Sequence, residues 1–160
     1  MSPRVVRLDD AAPDEALRPA ADVLMAGGIV AYPTDTLYGL GVDPTQGPAV
    51  DALCRLKTRS AHAGIPLIAS ALAQVESAVG VLPRLGRRLA ARFWPGPLTL
   101  VLAPEAAFAP GVCAADGSVA IRVPRGLAAR RLAALCGGPI TATSATLAGR
   151  RPAATAAEVV

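Results

Sequence analysis

An apolar strand leads directly into a polar loop in the stretch Ile29-Val30-Ala31-Tyr32-Pro33-Thr34-Asp35-Thr36-Leu37-Tyr38-Gly39-Leu40-Gly41. Its first four residues predict a short buried strand, and this strand ends at Pro33 because proline has no backbone N–H to donate. The hydroxyl groups and glycines that follow are typical of a loop whose backbone a ligand can approach closely. The stretch therefore predicts a sheet whose strand ends carry polar loops suited to ligand binding.

The rest of the chain alternates between short apolar strands and helices. Asp14 is predicted to cap the first helix, and Leu85, Leu89 and Phe93 are spaced to form one apolar stripe of the fourth. This interleaving, without a repeat or a long linker, predicts a single α/β domain over residues 1–160 with a mixed parallel and antiparallel, largely buried sheet flanked by helices. Strands are predicted at about residues 3–8, 29–32, 66–69, 98–102, 119–123 and 140–143, and helices at about 14–25, 48–56, 71–79, 83–94 and 127–136.

The composition narrows the class of protein. Of the 160 residues 52% are apolar and only 3% aromatic, so the core is expected to consist of Ala, Val, Leu and Ile. A net charge of +4 suits an anionic ligand or a nucleic acid, without choosing between them. Cys54, Cys113 and Cys136 are odd in number and far apart, which argues against disulfides or a zinc site and fits a cytoplasmic protein. No apolar run is long enough to predict a membrane-spanning helix.

Lys57 is the only lysine among sixteen basic residues. Lysine offers a compact, rotatable ammonium, whereas arginine offers a planar fork, so a retained lysine suggests a site where the two differ. Lys57 and Arg59, two residues apart and following a loop rich in hydroxyls and glycine, suggest contacts with phosphate oxygens. The alternative on the count alone is an accidental surface lysine.

The first of four further polar clusters is the loop that contains Thr34, Asp35, Thr36 and Tyr38. Its hydroxyls and backbone amides are suited to a carboxylate or an amino group. The alternative is a turn that only reverses the chain. For Asp35, turn capping and metal or amine binding are equally compatible with the sequence.

The second and third clusters contain Thr99 and Arg122. A rigid Trp94-Pro95-Gly96-Pro97 turn precedes Thr99 and is predicted to aim it at a ligand, while Trp94 itself is expected in the core. Arg122 lies in an apolar strand, where burial without an anionic partner is costly. That partner is either a structural carboxylate or a ligand phosphate.

The fourth cluster is a group of hydroxyls at the end of the last predicted strand, namely Thr141, Thr143, Ser144 and Thr146. They are suited either to a ligand or to saturating the strand end. The phosphate-binding and dinucleotide-binding glycine motifs, the nucleophile elbow and the zinc-protease motif are all absent from the sequence.

Together these clusters resemble the YrdC/TsaC family of threonylcarbamoyl-AMP synthases. The motifs P-T-D-T-L-Y-G-L-G, K-x-R, P-L-I, W-P-G-P-L-T, I-R-V-P and T-S-A occur here in the family's order, from about residue 14 to the end. The resemblance implies a twisted α/β sheet with a basic concave cavity. It also implies condensation of L-threonine, bicarbonate and ATP into threonylcarbamoyl-AMP and pyrophosphate, normally with Mg²⁺, for the t6A modification at position 37 of tRNA.

The resemblance also implies partners and roles for individual residues. The implied partners are tRNA or double-stranded RNA and other proteins of the t6A pathway; a membrane is not implied as a partner. No residue is implied as a protein ligand of a metal. Lys57 and Arg59 would contact the ATP phosphates as catalytic residues, and Thr34 and Thr36 would hold threonine. The nucleotide and intermediate pocket would be lined by Thr99, Arg122, Ser144 and Thr146.

Three departures from the family pattern favour an alternative, a non-catalytic module that binds double-stranded RNA, tRNA or a nucleotide. Thr146 replaces an asparagine, which removes a side-chain amide. Ala63 stands where members often carry a second basic residue after K-x-R. The C-terminal end is expected to be shortened relative to members that continue for some tens of residues.

Overall fold

The structure, a computed structural model, describes residues 4–9, 11–35, 37–57, 64–146 and 153–159. Helices and strands alternate along most of the chain, as the sequence predicts. The helices are α1 (Pro13–Met25), α2 (Gly47–Lys57), α3 (Leu72–Val79), α4 (Arg84–Phe93), α5 (Leu127–Leu135) and α6 (Ala156–Val159). The strands are β1 (Val30–Pro33), β2 (Tyr38–Gly41), β3 (Leu67–Ile68), β4 (Leu100–Leu102), β5 (Val119–Arg122), β6 (Ile140–Thr141) and β7 (Thr143–Ser144).

The strands form two sheets. The first has three antiparallel strands in the order β1-β2-β7, and the second has four strands in the order β4-β5-β3-β6. In the second sheet β3 runs parallel to β5, whereas β4 is antiparallel to β5 and β6 is antiparallel to β3. The predicted mixed α/β class is therefore confirmed, with the strands divided between two sheets.

Thr141 joins the two sheets. Its backbone N–H donates to the carbonyl of Val42 at 3.1 Å, and its hydroxyl accepts from the backbone N–H of Val42 at 2.9 Å. The buried hydroxyl of Tyr32 donates to the Thr141 carbonyl at 2.8 Å. The chain then passes from one sheet to the other at Ala142, so the single strand predicted over residues 140–143 is divided into β6 and β7.

Two groups of buried side chains hold the helices against the sheets. The larger group surrounds α2, α3 and β5 and includes Leu53, Val75 and Ile121. The smaller lies between α1 and α5 and includes Leu24 and Leu132. Aliphatic side chains dominate both groups, as the low aromatic content predicts, and their packing fixes the strand ends at which the polar clusters lie.

The N-terminal predictions are wrong in two respects. A strand was predicted at about residues 3–8, and no strand forms within its described part, residues 4–8. Val5 is 62% exposed and Leu8 43%, because an alternating pattern forms no strand unless a partner strand satisfies its backbone. Asp14 lies inside α1 rather than at its cap, which is Ala12, since Pro13 occupies the first helical position.

The apolar stripe predicted for α4 does not face the core. Leu85 is 67% exposed and Phe93 is 43% exposed, whereas Gly86 and Ala90 are buried. Small residues let α4 pack closely, so the contact is made by a neighbouring face, about 100° around the helix from the predicted stripe. Over the ranges given above, no helix is both long and apolar enough to cross a membrane.

The sequence pattern also missed β2, which forms where a loop was predicted. A Cβ at Gly41 would lie 2.8 Å from the ring of Tyr32. Glycine is therefore what allows this strand to pair with β1 beside that ring.

Candidate active site

Lys57, the last residue of α2, reaches the end of β7. Its Nζ donates to the carbonyl oxygens of Ser144 and Thr146, each at 2.6 Å, and to the Ser144 hydroxyl at 3.4 Å. The compact ammonium can point its donors at several acceptors, which a planar guanidinium cannot match in the same space. These three contacts therefore depend on the compact ammonium of a lysine. Arg59 lies outside the described residues.

The segment that Lys57 contacts combines strand pairing with an unused hydroxyl. Ser144 pairs with Gly39 of β2, and the backbone N–H of Ala145 donates to the Tyr38 carbonyl at 2.8 Å. The hydroxyl of Thr146 is buried and has no hydrogen-bond partner within the described ranges. The alternative of a strand end saturated by its own hydroxyls holds for Thr141 but not for Thr146.

Thr34 shapes the turn between β1 and β2. Its hydroxyl donates to the carbonyl of Leu37, and its backbone N–H donates to the same carbonyl at 3.1 Å. The Thr34 hydroxyl also accepts from the backbone N–H of Leu37 at 3.3 Å. This threonine thus closes the turn in which Thr36, outside the described residues, was predicted to bind threonine.

Asp35, in a distant turn, caps the backbone that leads into α5. Its carboxylate accepts from the backbone N–H of Arg125 at 3.2 Å and from the backbone N–H of Gly126. Gly126 is the N-cap residue of α5, and no side chain caps the first turn of that helix; Asp35 accepts instead from the N–H groups of the N-cap residue and of the residue before it. The sequence left turn capping and metal or amine binding open for Asp35; the structure instead has its carboxylate at the start of a distant helix, and this contact joins the β1–β2 turn to α5.

Arg122 ends β5 as a partly buried cation. Within the described ranges no carboxylate forms an ion pair with it; the ion pairs there are Arg87–Glu76 and Arg131–Asp14. The positive charge of Arg122 also acts on Tyr32. Burial raises the pKa of the Tyr32 hydroxyl far above its ordinary value, and the charge of Arg122 opposes that shift. The structural carboxylate that the sequence allowed is thus absent from this part of the chain.

The Trp94–Pro97 turn lies against the end of β5. The backbone N–H of Gly96 donates to the Val123 carbonyl at 2.8 Å, and the indole N–H of Trp94 donates to the Leu98 carbonyl at 2.7 Å. Trp94 packs on the larger core group, as predicted. Thr99 is exposed and directly precedes β4, whose Leu100 pairs with Ile121 of β5. Thr99 directly precedes Leu100 and Arg122 directly follows Ile121, so both are adjacent to this pair.

An open cleft of about 550 Å³ lies where these elements meet, and Asp35, Pro97, Arg125 and Gly126 line it. Its lining comes from the β1–β2 turn, the proline-rich turn and the loop between β5 and α5. Sequence reasoning missed Arg125 and Gly126 as site residues. The signal available was Pro124-Arg125-Gly126 between a strand and a helix, where backbone N–H groups favour anions.

Several of the predicted residues that the structure describes are connected through the fold. Hydrogen bonds lead from Lys57 to Ser144, then through β2 to the turn at Thr34, and through Asp35 to the start of α5. Arg122 lies just before that start, and the turn leading to Thr99 lies beside it. No three His, Cys, Asp or Glu residues in the described ranges lie close enough together to hold a metal ion.

A sequence model of the Sua5/YciO/YrdC family, described as "Telomere recombination", matches residues 22–160. The chain belongs to the Sua5/YciO/YrdC family. The expected resemblance is thereby confirmed. Curated relatives in this family include the threonylcarbamoyl-AMP synthase of Thiobacillus denitrificans, 41% identical over 84% of this chain and 72% of that protein. The threonylcarbamoyl-AMP synthase of Methylococcus capsulatus is 44% identical over 87% of this chain and 75% of that protein.

Solved structures of the Sua5/YciO/YrdC family have the same fold. P. abyssi Sua5 complexed with L-threonine aligns with a TM-score of 0.84 and 34% identity, over 91% of this chain and 43% of that one. A variant of P. abyssi Sua5 aligns with a TM-score of 0.87 over 99% of this chain and 46% of that one. The chain therefore spans less than half the length of these Sua5 proteins. E. coli YciO, at 23% identity and a TM-score of 0.75, supports the fold alone.

Proposed function

We propose that this member of the Sua5/YciO/YrdC family is an L-threonylcarbamoyladenylate synthase. It would form threonylcarbamoyl-AMP and pyrophosphate from L-threonine, bicarbonate and ATP. The observation that carries the proposal is Arg122, a partly buried cation without a carboxylate partner in the described ranges, at the end of β5 just before Arg125 of the cleft. Relatives named threonylcarbamoyl-AMP synthase, and a Sua5 structure with L-threonine, support the same chemistry.

The reaction suits a site made of cations and hydroxyls. The threonine amine adds to the carbon of bicarbonate and, with loss of water, forms a carbamate. A carbamate oxygen then attacks the α-phosphorus of ATP, and the bond to pyrophosphate breaks. The carbamate is already a nucleophile, so the protein's task is to bring two anions together and to neutralise charge on the phosphates.

The proposal assigns each predicted residue a role. Lys57 and Arg59 contact the ATP phosphates at the departing pyrophosphate, and Thr34 and Thr36 hold threonine. The pocket for the nucleotide and the intermediate is lined by Thr99, Arg122, Ser144 and Thr146. These residues, together with Arg125 at the cleft, would make the cavity basic.

Mg²⁺ would arrive with ATP rather than occupy a protein cage. Mg²⁺ commonly keeps several waters and binds through substrate phosphates and one or two carboxylates. Asp35 is the carboxylate at the cleft, and two backbone N–H groups already use it. The residues present therefore fit a metal held mainly by the nucleotide, which would neutralise phosphate charge there.

The proposed enzyme is a nucleotidyltransferase of the cytoplasm, where ATP and tRNA occur together. Its product would supply the threonylcarbamoyl group for t6A at position 37 of tRNA, in company with the other proteins of that pathway. The test is pyrophosphate release by the purified chain, with threonine, bicarbonate and ATP omitted one at a time. Release that requires all three is expected, and release that continues without threonine or without bicarbonate would overturn the proposal.

Binding of tRNA or double-stranded RNA is the second candidate, and one surface favours it. Arg84, Arg88 and Arg92 are exposed at four-residue spacing on α4, so they form one stripe, and none has an ion-pair partner in the described ranges. Replacing all three with Gln is expected to weaken tRNA binding and to reduce the slope of log affinity against log salt by roughly three. An unchanged slope would exclude this surface.

A further inference from the structure

A second cavity, of about 310 Å³, lies apart from the candidate active site. It shares no lining residue with the cleft at Asp35. The β1–β2 turn of the active site precedes β2, whereas the loop at Asp43 that lines this cavity follows β2. The two cavities therefore lie at opposite ends of one strand. Its lining includes Met25, Asp43, Ala78, Phe108, Cys136 and Ile140.

Three helices end at this cavity. Met25 is the last residue of α1, Ala78 lies in the last turn of α3, and Cys136 is the C-cap of α5. None of these helices has a basic residue in its last turn, whereas α2 and α4, which end elsewhere, carry Arg55 with Lys57, and Arg92. Since a helix C-terminus carries partial negative charge, the three ends that meet here lack the usual compensating cation. Neutral donors bind two of their carbonyls: the Gln46 amide donates to Met25 at 3.0 Å, and two backbone N–H groups donate to Ala78 at 2.9 and 3.1 Å.

Asp43 adds a full negative charge to these three ends. Its Oδ1 accepts from the Thr45 N–H at 2.9 Å and the Thr45 hydroxyl at 2.6 Å, and its Oδ2 accepts from the Gln46 amide at 3.0 Å. Partial burial acts to raise the pKa of Asp43, but these hydrogen bonds hold that pKa below its ordinary value. Asp43 is therefore ionised at neutral pH, and no lysine or arginine is among the described lining residues.

The remaining lining is mostly apolar and uncharged. Leu24 and Ile140 are almost fully buried at the cavity, and Phe108 and Ala78 contribute further apolar surface. Burial raises the pKa of the Cys136 thiol to about 11, with the charge of Asp43 adding to the shift, so this thiol stays neutral. The cavity thus combines one fixed negative charge with an apolar body, the arrangement typical of a small-molecule site.

We propose that this cavity binds a small organic amine, a monocation with an apolar body, whose ammonium lies at Asp43 and the ends of α1, α3 and α5. An amino acid such as threonine does not fit this description, because its carboxylate would meet the same negative groups. The site is separate from the proposed synthase chemistry and stands or falls independently of it.

The first test compares three ligands of similar shape by calorimetric titration of the full chain. They are phenethylamine, 2-phenylethanol and phenylacetate, which carry a cation, no charge and an anion. Saturable binding of the amine is expected, with the alcohol about tenfold weaker or more and the carboxylate weaker still. Absence of saturable amine binding, or equal binding of all three, overturns the proposal.

The second test assigns the binding to this cavity. Asp43→Asn keeps the acceptor for Thr45 but removes the charge, and Ser77→Phe fills the cavity from an exposed helix position. Both are expected to weaken amine binding about tenfold or more. Asp116→Asn is the matched control, because Asp116 makes the same pair of bonds, to the N–H and hydroxyl of Ser118 at 2.9 and 2.6 Å.

The control variant is expected to bind phenethylamine as the unchanged chain does. If amine binding survives in Ser77→Phe, or falls equally in Asp116→Asn, the amine binds elsewhere and the proposal is wrong. Thermal melts of each variant establish that it is folded. Should Asp43→Asn fail to fold, Ser77→Phe and the ligand comparison still decide the matter.

Discussion

The ammonium of Lys57 donates a 2.6 Å hydrogen bond to the carbonyl oxygen of Ser144, across 87 residues of sequence. Because Ser144 pairs with Gly39 of β2, this bond fixes the end of α2 against the strand that follows the β1–β2 turn. The acceptor is a backbone carbonyl, so this hydrogen bond requires the ammonium of Lys57 but not the side chain of Ser144. The sole lysine is thereby held against the end of β7.

Replacing Lys57 with Met keeps the alkyl stem and removes the ammonium. The proposed reaction places that cation at the departing pyrophosphate, so kcat/KM for ATP is expected to fall roughly 10²-fold or more. Arg55→Met is the control, since Arg55 is an exposed cation in the last turn of the same helix. Steady-state pyrophosphate release measures both variants, and an equal loss in the two would remove Lys57 from the site.

Replacing Arg122 with Met tests the cation that has no carboxylate partner in the described ranges. Its removal leaves no buried acid unpaired among the residues that the structure describes, so the melting temperature is expected to change little, while ATP affinity falls about tenfold or more. Arg131→Met removes a surface cation that pairs with Asp14 at 3.5 Å and serves as the control. Calorimetric ATP titration gives the result; full ATP affinity in folded Arg122→Met would contradict the assignment.

The capping role of Asp35 predicts a loss of stability. Asp35→Ala leaves the N–H groups of Arg125 and Gly126 without their acceptor, so the free energy of unfolding is expected to fall by about 1 kcal/mol. Asp51→Ala removes an exposed carboxylate within α2 and is expected to change it by less than about 0.5 kcal/mol. Urea unfolding of both variants is the measurement, and equal stability of the two would argue against the cap.

The buried hydroxyl of Thr146 predicts a separation of stability from binding. Thr146→Val removes a group that has no partner in the described ranges, so stability is expected to be unchanged or slightly higher. Because the hydroxyl is proposed to contact the nucleotide, ATP affinity is expected to fall several-fold in Thr146→Val. Thr146→Asn, which restores a side-chain amide, is expected to keep the ATP affinity of the unchanged chain. Thermal melts and ATP titrations on the same samples separate the two effects; unchanged affinity in Thr146→Val would rule out this contact.

Local patterns predicted much of the fold correctly. The helix ending at Met25 and the strand beginning near residue 119 follow from apolar periodicity and from breaker residues such as Gly27, which has a positive φ of 83°. The pattern failed at Gly41, where strand pairing requires glycine because the Tyr32 ring lies against the backbone. A propensity argument treats glycine as loop-forming and has no access to that distant ring.

The connections between the residues of the candidate site could not be predicted from the sequence. Lys57 and Arg122 stood out because each is unusual in its own segment. The cap formed by Asp35 on Gly126 joins positions 91 residues apart, and nothing local to either one indicates the pairing. Roles created by tertiary packing therefore had to be found in the structure.

The central claim, that this chain makes threonylcarbamoyl-AMP, is tested most directly by supplying ¹³C-labelled bicarbonate with L-threonine and ATP. Mass spectrometry of the nucleotide fraction is expected to show threonylcarbamoyl-AMP carrying the label, in an amount that Lys57→Met greatly reduces and Arg55→Met does not. A folded chain that binds ATP but yields no labelled nucleotide product would contradict the claim.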